Sequence, residues 1–146
     1  MSGVQRFVHV GVVVEDLERV TAFFADLGFE CGEPMRFEGA WIDRIIGLEG
    51  VELDMVFVGA PDGSGQLELT RFRRPADPAG PQSAPANRPG LRHIAYEVDD
   101  IDGVVKRLRD GGYDTVGEIV DYEGVFRLCY VAGPEGLIVE LAERIG

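Results

Sequence analysis

Apolar and polar positions divide the chain into two halves with the same order of predicted elements. In the first half, residues 7–14 are rich in valine and predict a strand. Asp16 and Gly28 are suited to cap a following helix, whose apolar face consists of Leu17, Val20, Phe23, Phe24 and Leu27. Residues 29–37, 51–58 and 66–72 predict strands, the last two as a hairpin. Residues 39–47 fit either a short helix or an irregular strand.

The second half repeats this order. A strand over 92–98 precedes a helix over 100–110, with Gly111–Gly112 as its stop, and three strands are predicted near 113–121, 125–132 and 137–142. A gapless alignment that places His9 on His93 also matches Asp16 with Asp100 and Gly28 with Gly112. The closing phrases, "VFVGAPDGSGQLELTRF" and "CYVAGPEGLIVELAERI", both read strand, Gly/Pro turn, strand. Each half is therefore predicted as a βαβββ unit.

The segment between the halves has the composition of a linker. Residues 71–90 contain five of the eight prolines and little apolar periodicity. We predict a single α+β domain over 1–146, made of a module over 1–70, a linker over 71–90 and a module over 91–146. One βαβββ unit cannot bury both faces of its sheet, so we expect the two modules to form a curved mixed sheet around a shared cavity.

Both histidines of the chain occupy the same repeat position, which predicts a metal site. His9 and His93 lie in the first strand of each module, and Glu68 and Glu140 lie in the last. Side chains alternate along a strand, so each pair can point into the shared cavity. Two imidazoles and two carboxylates suit one divalent ion of Zn, Ni, Co, Mn or Fe. A charge in the apolar strand "LIVELAE" would be costly to bury without such a partner.

Composition and charge limit the classes of molecule that the protein is expected to bind. The net charge of −12 disfavours nucleic-acid binding, and no apolar run approaches the ~20 residues that span a bilayer. Without an evident secretory signal, Cys31 and Cys129 are interpreted as reduced thiols of a cytoplasmic protein. Residues 71–90 hold four arginines and one aspartate, which we interpret as a solvated linker, with an anion site as the alternative.

The chain resembles the vicinal oxygen chelate superfamily, which includes glyoxalase I, methylmalonyl-CoA epimerase, extradiol dioxygenases and bleomycin-resistance proteins. The motifs that carry the resemblance are "VHVGVVVEDLERVTAFFADLGF", "LELTRF", "LRHIAYEVDDIDGVVKRLRDGG" and "GPEGLIVELAE". It implies the paired-module fold and a metal site at His9, Glu68, His93 and Glu140. In glyoxalase I order, it assigns Glu140 as the catalytic base and Glu68 as its counterpart, with proton transfer beside a metal-bound carbonyl through an enediolate.

Three alternatives to a glyoxalase-like lyase or isomerase stay open at this point. A methylmalonyl-CoA epimerase resembles the chain in its second half but usually has glutamine where Glu68 stands. An extradiol dioxygenase would need only His, His and Glu, which leaves Glu68 unexplained. A non-catalytic protein could instead bind a drug or aromatic metabolite in a cavity lined by residues such as Trp41 and Phe37. In every case the expected partner is a small molecule, and exposed sheet edges, together with the habit of the superfamily, predict a homodimer.

Overall fold

The computed structural model describes residues 2–146 and divides into two compact units, Met1–Gly80 and Pro81–Gly146. The boundary between the units falls inside the proline-rich segment at 71–90. Each unit contains one of the two predicted modules, an α+β arrangement of one five-stranded sheet with helices. The predicted fold class of two βαβββ modules is therefore confirmed.

The elements follow the predicted order in both units. The first unit contains β1 (Val10–Val13), α1 (Leu17–Leu27), β2 (Glu30–Cys31), β3 (Met35–Glu38), α2 (Ala40–Ile46), β4 (Glu52–Gly59) and β5 (Leu67–Arg74). The second contains β6 (His93–Val98), α3 (Ile101–Asp110), β7 (Asp114–Thr115), β8 (Val120–Tyr122), β9 (Phe126–Ala132) and β10 (Ile138–Arg144). The second strand predicted in each module is divided into two short strands, β2 with β3 and β7 with β8. The ambiguous segment at 39–47 forms a helix, α2.

Both sheets are mixed and share one topology. The strand order is β1-β5-β4-β2 in the first unit and β6-β10-β9-β7 in the second, with β3 and β8 pairing with β4 and β9. The first and last strands of each module are parallel neighbours, and the remaining pairs are antiparallel. This topology places β1, which His9 immediately precedes, beside β5 with Glu68, and β6 with His93 beside β10 with Glu140.

Aspartate side chains cap the N-termini of α1, as predicted, and of α3. The Asp16 carboxylate accepts a hydrogen bond from the Arg19 backbone N–H at 3.0 Å, and Gly28 ends α1 in the left-handed region with φ 104°. Asp100 accepts from the Gly103 N–H at 3.0 Å in the same way. The five apolar residues predicted for one face of α1 are all buried. The polar–apolar pattern therefore determined these helices and the faces that they bury.

Each helix covers one face of its own sheet. In the first unit α1 contacts β4 and β5, and the buried side chains of Val56, Val58, Leu67 and Leu69 alternate along those strands. In the second unit α3 contacts β9 and β10, where Val131, Val139 and Leu141 are buried. Side chains at the intervening positions point to the face opposite the helix. Glu68 and Glu140 occupy such positions.

An ion cluster at the end of β5 extends the sheet into the predicted linker. Arg71 and Arg73 each lie 2.8 Å from the Asp54 carboxylate, and Arg36 lies 3.2 Å from it. Arg74 pairs with Glu52 at 3.0 Å. Three of the four arginines in 71–90 are thus paired with carboxylates of β4 and belong to a strand, not to a solvated linker. Proline content could not show this, because the pairing depends on the neighbouring strand.

No helix in residues 2–146 is long and apolar enough to cross a lipid bilayer, since the longest, α1, has only 11 residues.

Candidate functional site

Strand register brings His9 and Glu68 together in the first unit. Glu68 is the partner of Gly11 in the parallel pairing of β5 with β1, and His9 stands two positions before Gly11. Because side chains alternate, His9 projects on the same side as Glu68. The imidazole Nε2 lies 3.0 Å from the Glu68 carboxylate, and both side chains stay partly exposed. His9 immediately precedes β1, whereas the sequence placed it inside the strand.

The second unit repeats this geometry with His93 and Glu140. Glu140 is the partner of Ala95 in the pairing of β10 with β6, and His93 stands two positions before Ala95. The His93 Nε2 lies 3.5 Å from the Glu140 carboxylate. In both units, therefore, the histidine stands two positions before the parallel-strand partner of the glutamate, and this shared register brings each pair together. The equivalence that the sequence repeat predicted holds at the level of strand pairing.

An aromatic ring accompanies each pair. Phe57 is the antiparallel partner of Glu68, and Tyr130 is the antiparallel partner of Glu140. The Phe57 ring stands edge-on to His9 with centroids 6.2 Å apart, and the Tyr130 ring lies 4.8 Å from that of His93. Sequence reasoning overlooked Tyr130 as a site residue. Aligning "VFV" with "CYV" in the closing phrases would have matched it with Phe57.

The four predicted ligands form two pairs, one in each unit. Across residues 2–146, no group of three or more His, Cys, Asp or Glu side chains is close enough to hold a metal ion. Each pair nevertheless presents an imidazole nitrogen beside a carboxylate oxygen, and these are the donor types that zinc and similar divalent ions bind. The donor chemistry of both pairs therefore fits a divalent metal.

The two cysteines contribute no reactive group here. Both are free thiols, Cys31 exposed and Cys129 buried. Burial raises the pKa of the Cys31 thiol, and burial likewise raises that of Cys129. Both therefore remain protonated at neutral pH, a form that neither attacks carbon nor ligates metal well.

Apolar side chains form a cavity beside Glu68 in the first unit. The cavity has a volume of about 370 Å³, and Glu68 and Thr70 are the polar side chains in its wall. Phe37 and Trp41, two aromatic residues suggested by the sequence as cavity lining, both belong to it. A carboxylate at the edge of an apolar cavity can act on a polar group of a molecule whose apolar part is buried there.

Comparisons with known proteins agree on one family. The sequence model of the glyoxalase/bleomycin resistance protein/dioxygenase superfamily matches residues 8–130. The crystal structure of a glyoxalase family protein from Bacillus cereus is 36% identical, with a TM-score of 0.94 over 99% of this chain and 97% of that one. The uncharacterized protein YaeR of Escherichia coli (strain K12) is 28% identical over 99% of this chain and 100% of its own length. The trypanothione-dependent glyoxalase I of Leishmania major shares the fold, with 24% identity and a TM-score of 0.64 over 96% of this chain and 87% of that one.

Proposed function

Because the chain belongs to the glyoxalase/bleomycin resistance protein/dioxygenase superfamily, we propose that it is a divalent-metal-dependent lyase or isomerase of the glyoxalase I type. Its reaction transfers a proton between adjacent carbons of a small substrate, beside a carbonyl group, through an enediolate. This superfamily includes both enzymes and binding proteins. We favour an enzyme over a binding protein because of the histidine–glutamate pairs of this chain.

One observation carries the proposal: the same histidine–glutamate pair occurs at the same strand register in both modules. The His9–Glu68 and His93–Glu140 distances of 3.0 and 3.5 Å bring each imidazole against its carboxylate. A histidine or a glutamate alone is uninformative, since either can be an ordinary partly exposed residue. Duplication of the whole pair in a chain with only two histidines favours a common task for all four side chains.

We assign His9, Glu68, His93 and Glu140 as the ligands of one divalent ion per chain. When bound, such an ion supplies a Lewis acid that withdraws electron density from a substrate oxygen. Neutral imidazoles and ionised carboxylates are the protonation states that bind metal. The partial exposure of all four side chains leaves them accessible to an ion and to a small molecule.

Glu140 is the proposed base. Its carboxylate takes a proton from the carbon next to the carbonyl. The electron pair of that C–H bond forms a carbon–carbon double bond, and the π pair of the carbonyl moves onto its oxygen to give the enediolate. The same carboxyl group then returns the proton to the neighbouring carbon. The reaction needs no oxidant or reductant. Glu68 is the symmetric counterpart and the next candidate for the base.

The first experiment separates binding from proton transfer at Glu140. Glu140→Gln keeps the size of the side chain and one oxygen ligand but removes the basic carboxylate. We expect divalent-metal affinity, measured by titration calorimetry, to weaken only modestly. Turnover should fall by ~100-fold or more, the usual scale for loss of a general base. His93→Ala should instead act through metal loss, because an imidazole ligand is removed.

Glu143→Gln is the matched control. Glu143 lies on the same strand, but it points to the opposite face and lies 3.8 Å from Arg127, so neither metal affinity nor turnover should change. A Glu140→Gln protein with bound metal and near-normal turnover would refute the assignment of the base. A purified protein that binds no divalent metal at micromolar concentration would refute the metal site itself.

The substrate panel contains methylglyoxal with several thiols, methylmalonyl-CoA, and catechols under anaerobic loading with Fe(II). Turnover of a thiol adduct supports the proposed reaction. Racemisation of methylmalonyl-CoA or ring cleavage of a catechol would assign the epimerase or dioxygenase alternative. Tight binding without turnover of any compound would identify a binding protein.

A further inference from the structure

The cavity beside Glu68 is the feature that the proposed proton transfer does not yet explain. Its wall combines side chains of β1, β3, β4 and β5 with one face of α2. Trp41 and Ile45 line it while remaining 53% and 74% exposed. Large apolar side chains at an exposed concave surface are typical of a ligand site.

The helix that forms one wall is firmly attached to its unit. Ile42 of α2 is buried in a cluster with Val51 and Leu53. The Asp43 carboxylate accepts hydrogen bonds from the backbone N–H groups of Gly50 and Val51, at 2.9 and 2.8 Å. These contacts fix α2 against the sheet before any ligand arrives. The cavity is therefore preformed, which reduces the entropic cost of binding.

Helix α2 also breaks the symmetry of the two modules. The histidine–glutamate pairs repeat, and α2 lies in the connection between β3 and β4. In the second unit the equivalent strands, β8 and β9, are joined by only residues 123–125, too short a connection for such a helix. The element that walls the cavity therefore belongs to the first module alone. Because α2 is absent from the repeat but lies next to the repeated His9–Glu68 pair, it is suited to select the substrate.

The size and charge of the cavity indicate what it holds. A cavity of roughly 150 Å³ suffices for benzene, so about 370 Å³ accommodates a phenyl ring or a larger branched group. A methyl group would leave most of this volume unfilled. No arginine or lysine lines the cavity, so a phosphate or carboxylate buried among its apolar side chains would lack a compensating charge.

We propose that this cavity binds an uncharged aryl or branched alkyl substituent of the substrate, which places the substrate oxygens at Glu68. The substrate class is then an aryl or bulky alkyl α-oxoaldehyde adduct, not the methyl compound. This assignment rests on the proposed function for the reaction, but the binding of an aryl group can be measured without turnover.

Trp41 supplies that measurement because it is the only tryptophan in the chain. The probe is 1-phenyl-1,2-ethanediol, with 1,2-propanediol as its methyl counterpart, added to both chelator-treated and Zn-loaded protein. We expect the phenyl compound to shift Trp41 emission to shorter wavelength with saturation, and the methyl compound to bind at least ~10-fold more weakly. Among substrates, kcat/KM for phenylglyoxal adducts should exceed that for methylglyoxal adducts by a similar factor, the scale of apolar-pocket discrimination.

Ile45→Asp tests the location, with Leu48→Asp as the matched control. Both residues are exposed and apolar, but only Ile45 lines the cavity. Ile45→Asp should weaken phenyl-probe binding by ~10-fold or more, and Leu48→Asp should leave it unchanged. Circular dichroism confirms that both variants remain folded.

The outcomes separate this inference from the proposed reaction. Saturable, Ile45-dependent binding of the phenyl compound without turnover of any adduct supports the cavity and contradicts the enzyme. Turnover of methylglyoxal adducts with no saturable Trp41 response and no phenyl preference overturns the inference and leaves the enzyme standing. Emission that depends on protein concentration but not on the probe, with Ile45→Asp giving monomers, would show that a second copy covers this face and would also overturn it.

Discussion

Removing the carboxylate of Asp54 should destabilise the first unit more than any other single-charge change in its sheet. The side chain of Asp54 is only 8% exposed and contacts three guanidinium groups, those of Arg36, Arg71 and Arg73. Asp54→Asn preserves shape and one acceptor oxygen but leaves these cations without their shared anion. Truncating one partner of a buried ion pair costs about 3–5 kcal/mol.

The expected loss is smaller than that, for reasons visible in the contacts. The three arginine side chains are 25–49% exposed and can recover hydration when the anion is removed. Arg71 also keeps Glu18 at 2.9 Å, and Arg36 keeps Glu52 at 3.2 Å. We therefore expect a loss of about 2 kcal/mol in the free energy of unfolding at pH 7. With an m-value of about 2 kcal/mol per molar urea, the midpoint falls by about 1 M.

The pH dependence provides a second signature. Burial acts to raise the pKa of Asp54, but hydrogen bonds from Arg71 and Arg36 and the charge of Arg73 outweigh it, so the pKa lies below its ordinary value. A carboxyl group with a lowered folded-state pKa stabilises the fold fully above its unfolded pKa of about 3.9. That stabilisation is lost as the pH falls through the folded-state pKa. The difference between wild type and Asp54→Asn should therefore shrink below about pH 4.

Urea unfolding followed by Trp41 fluorescence measures this, since Trp41 lies in the same unit. Glu18→Gln is the control: it removes a carboxylate from the same arginine, but its side chain is 74% exposed, so little stability should be lost. An unchanged midpoint for Asp54→Asn at pH 7, or an equal loss at pH 7 and pH 3, would contradict the reasoning.

Two further predictions concern helix capping and assembly. Asp16→Ala removes the side-chain acceptor of the Arg19 N–H and should cost about 1 kcal/mol, seen as a lower melting temperature. Asp16→Asn is the control, because it keeps an acceptor oxygen at the N-cap and should cost much less; an equal loss in both variants would argue against capping as the cause. The chain should form a homodimer, because β1 and β6 are edge strands of their sheets and an edge strand can pair with a second chain. Light scattering should give twice the 16.0 kDa mass of the chain. A monomer mass across a wide concentration range would contradict this.

Local pattern alone determined the helices and the modular order. The apolar spacing in α1, the carboxylate of Asp16 and the left-handed glycine at Gly28 act within one or two helical turns, so nearby residues suffice to specify them. The internal repeat added a relation over long distance, the equivalence of His9 with His93 and of Glu68 with Glu140. It predicted the fold class and which side chains to compare, because duplicated segments adopt the same fold.

Only the tertiary structure decided which side chains meet within each unit. Parallel pairing of the first and last strands sets the register that brings His9 to Glu68, and no local signal encodes a pairing over nearly 60 residues. In the second unit, β10 pairs with β6 on one side and with β9 on the other, and this placed Tyr130 beside His93. The sequence placed Arg71 and Arg73 in a linker, but both lie in β5, where they form ion pairs with Asp54 of the neighbouring strand β4. Residues 39–47 became a helix because Ile42 could be buried against Val51 and Leu53, a tertiary contact that outweighs weak local preference.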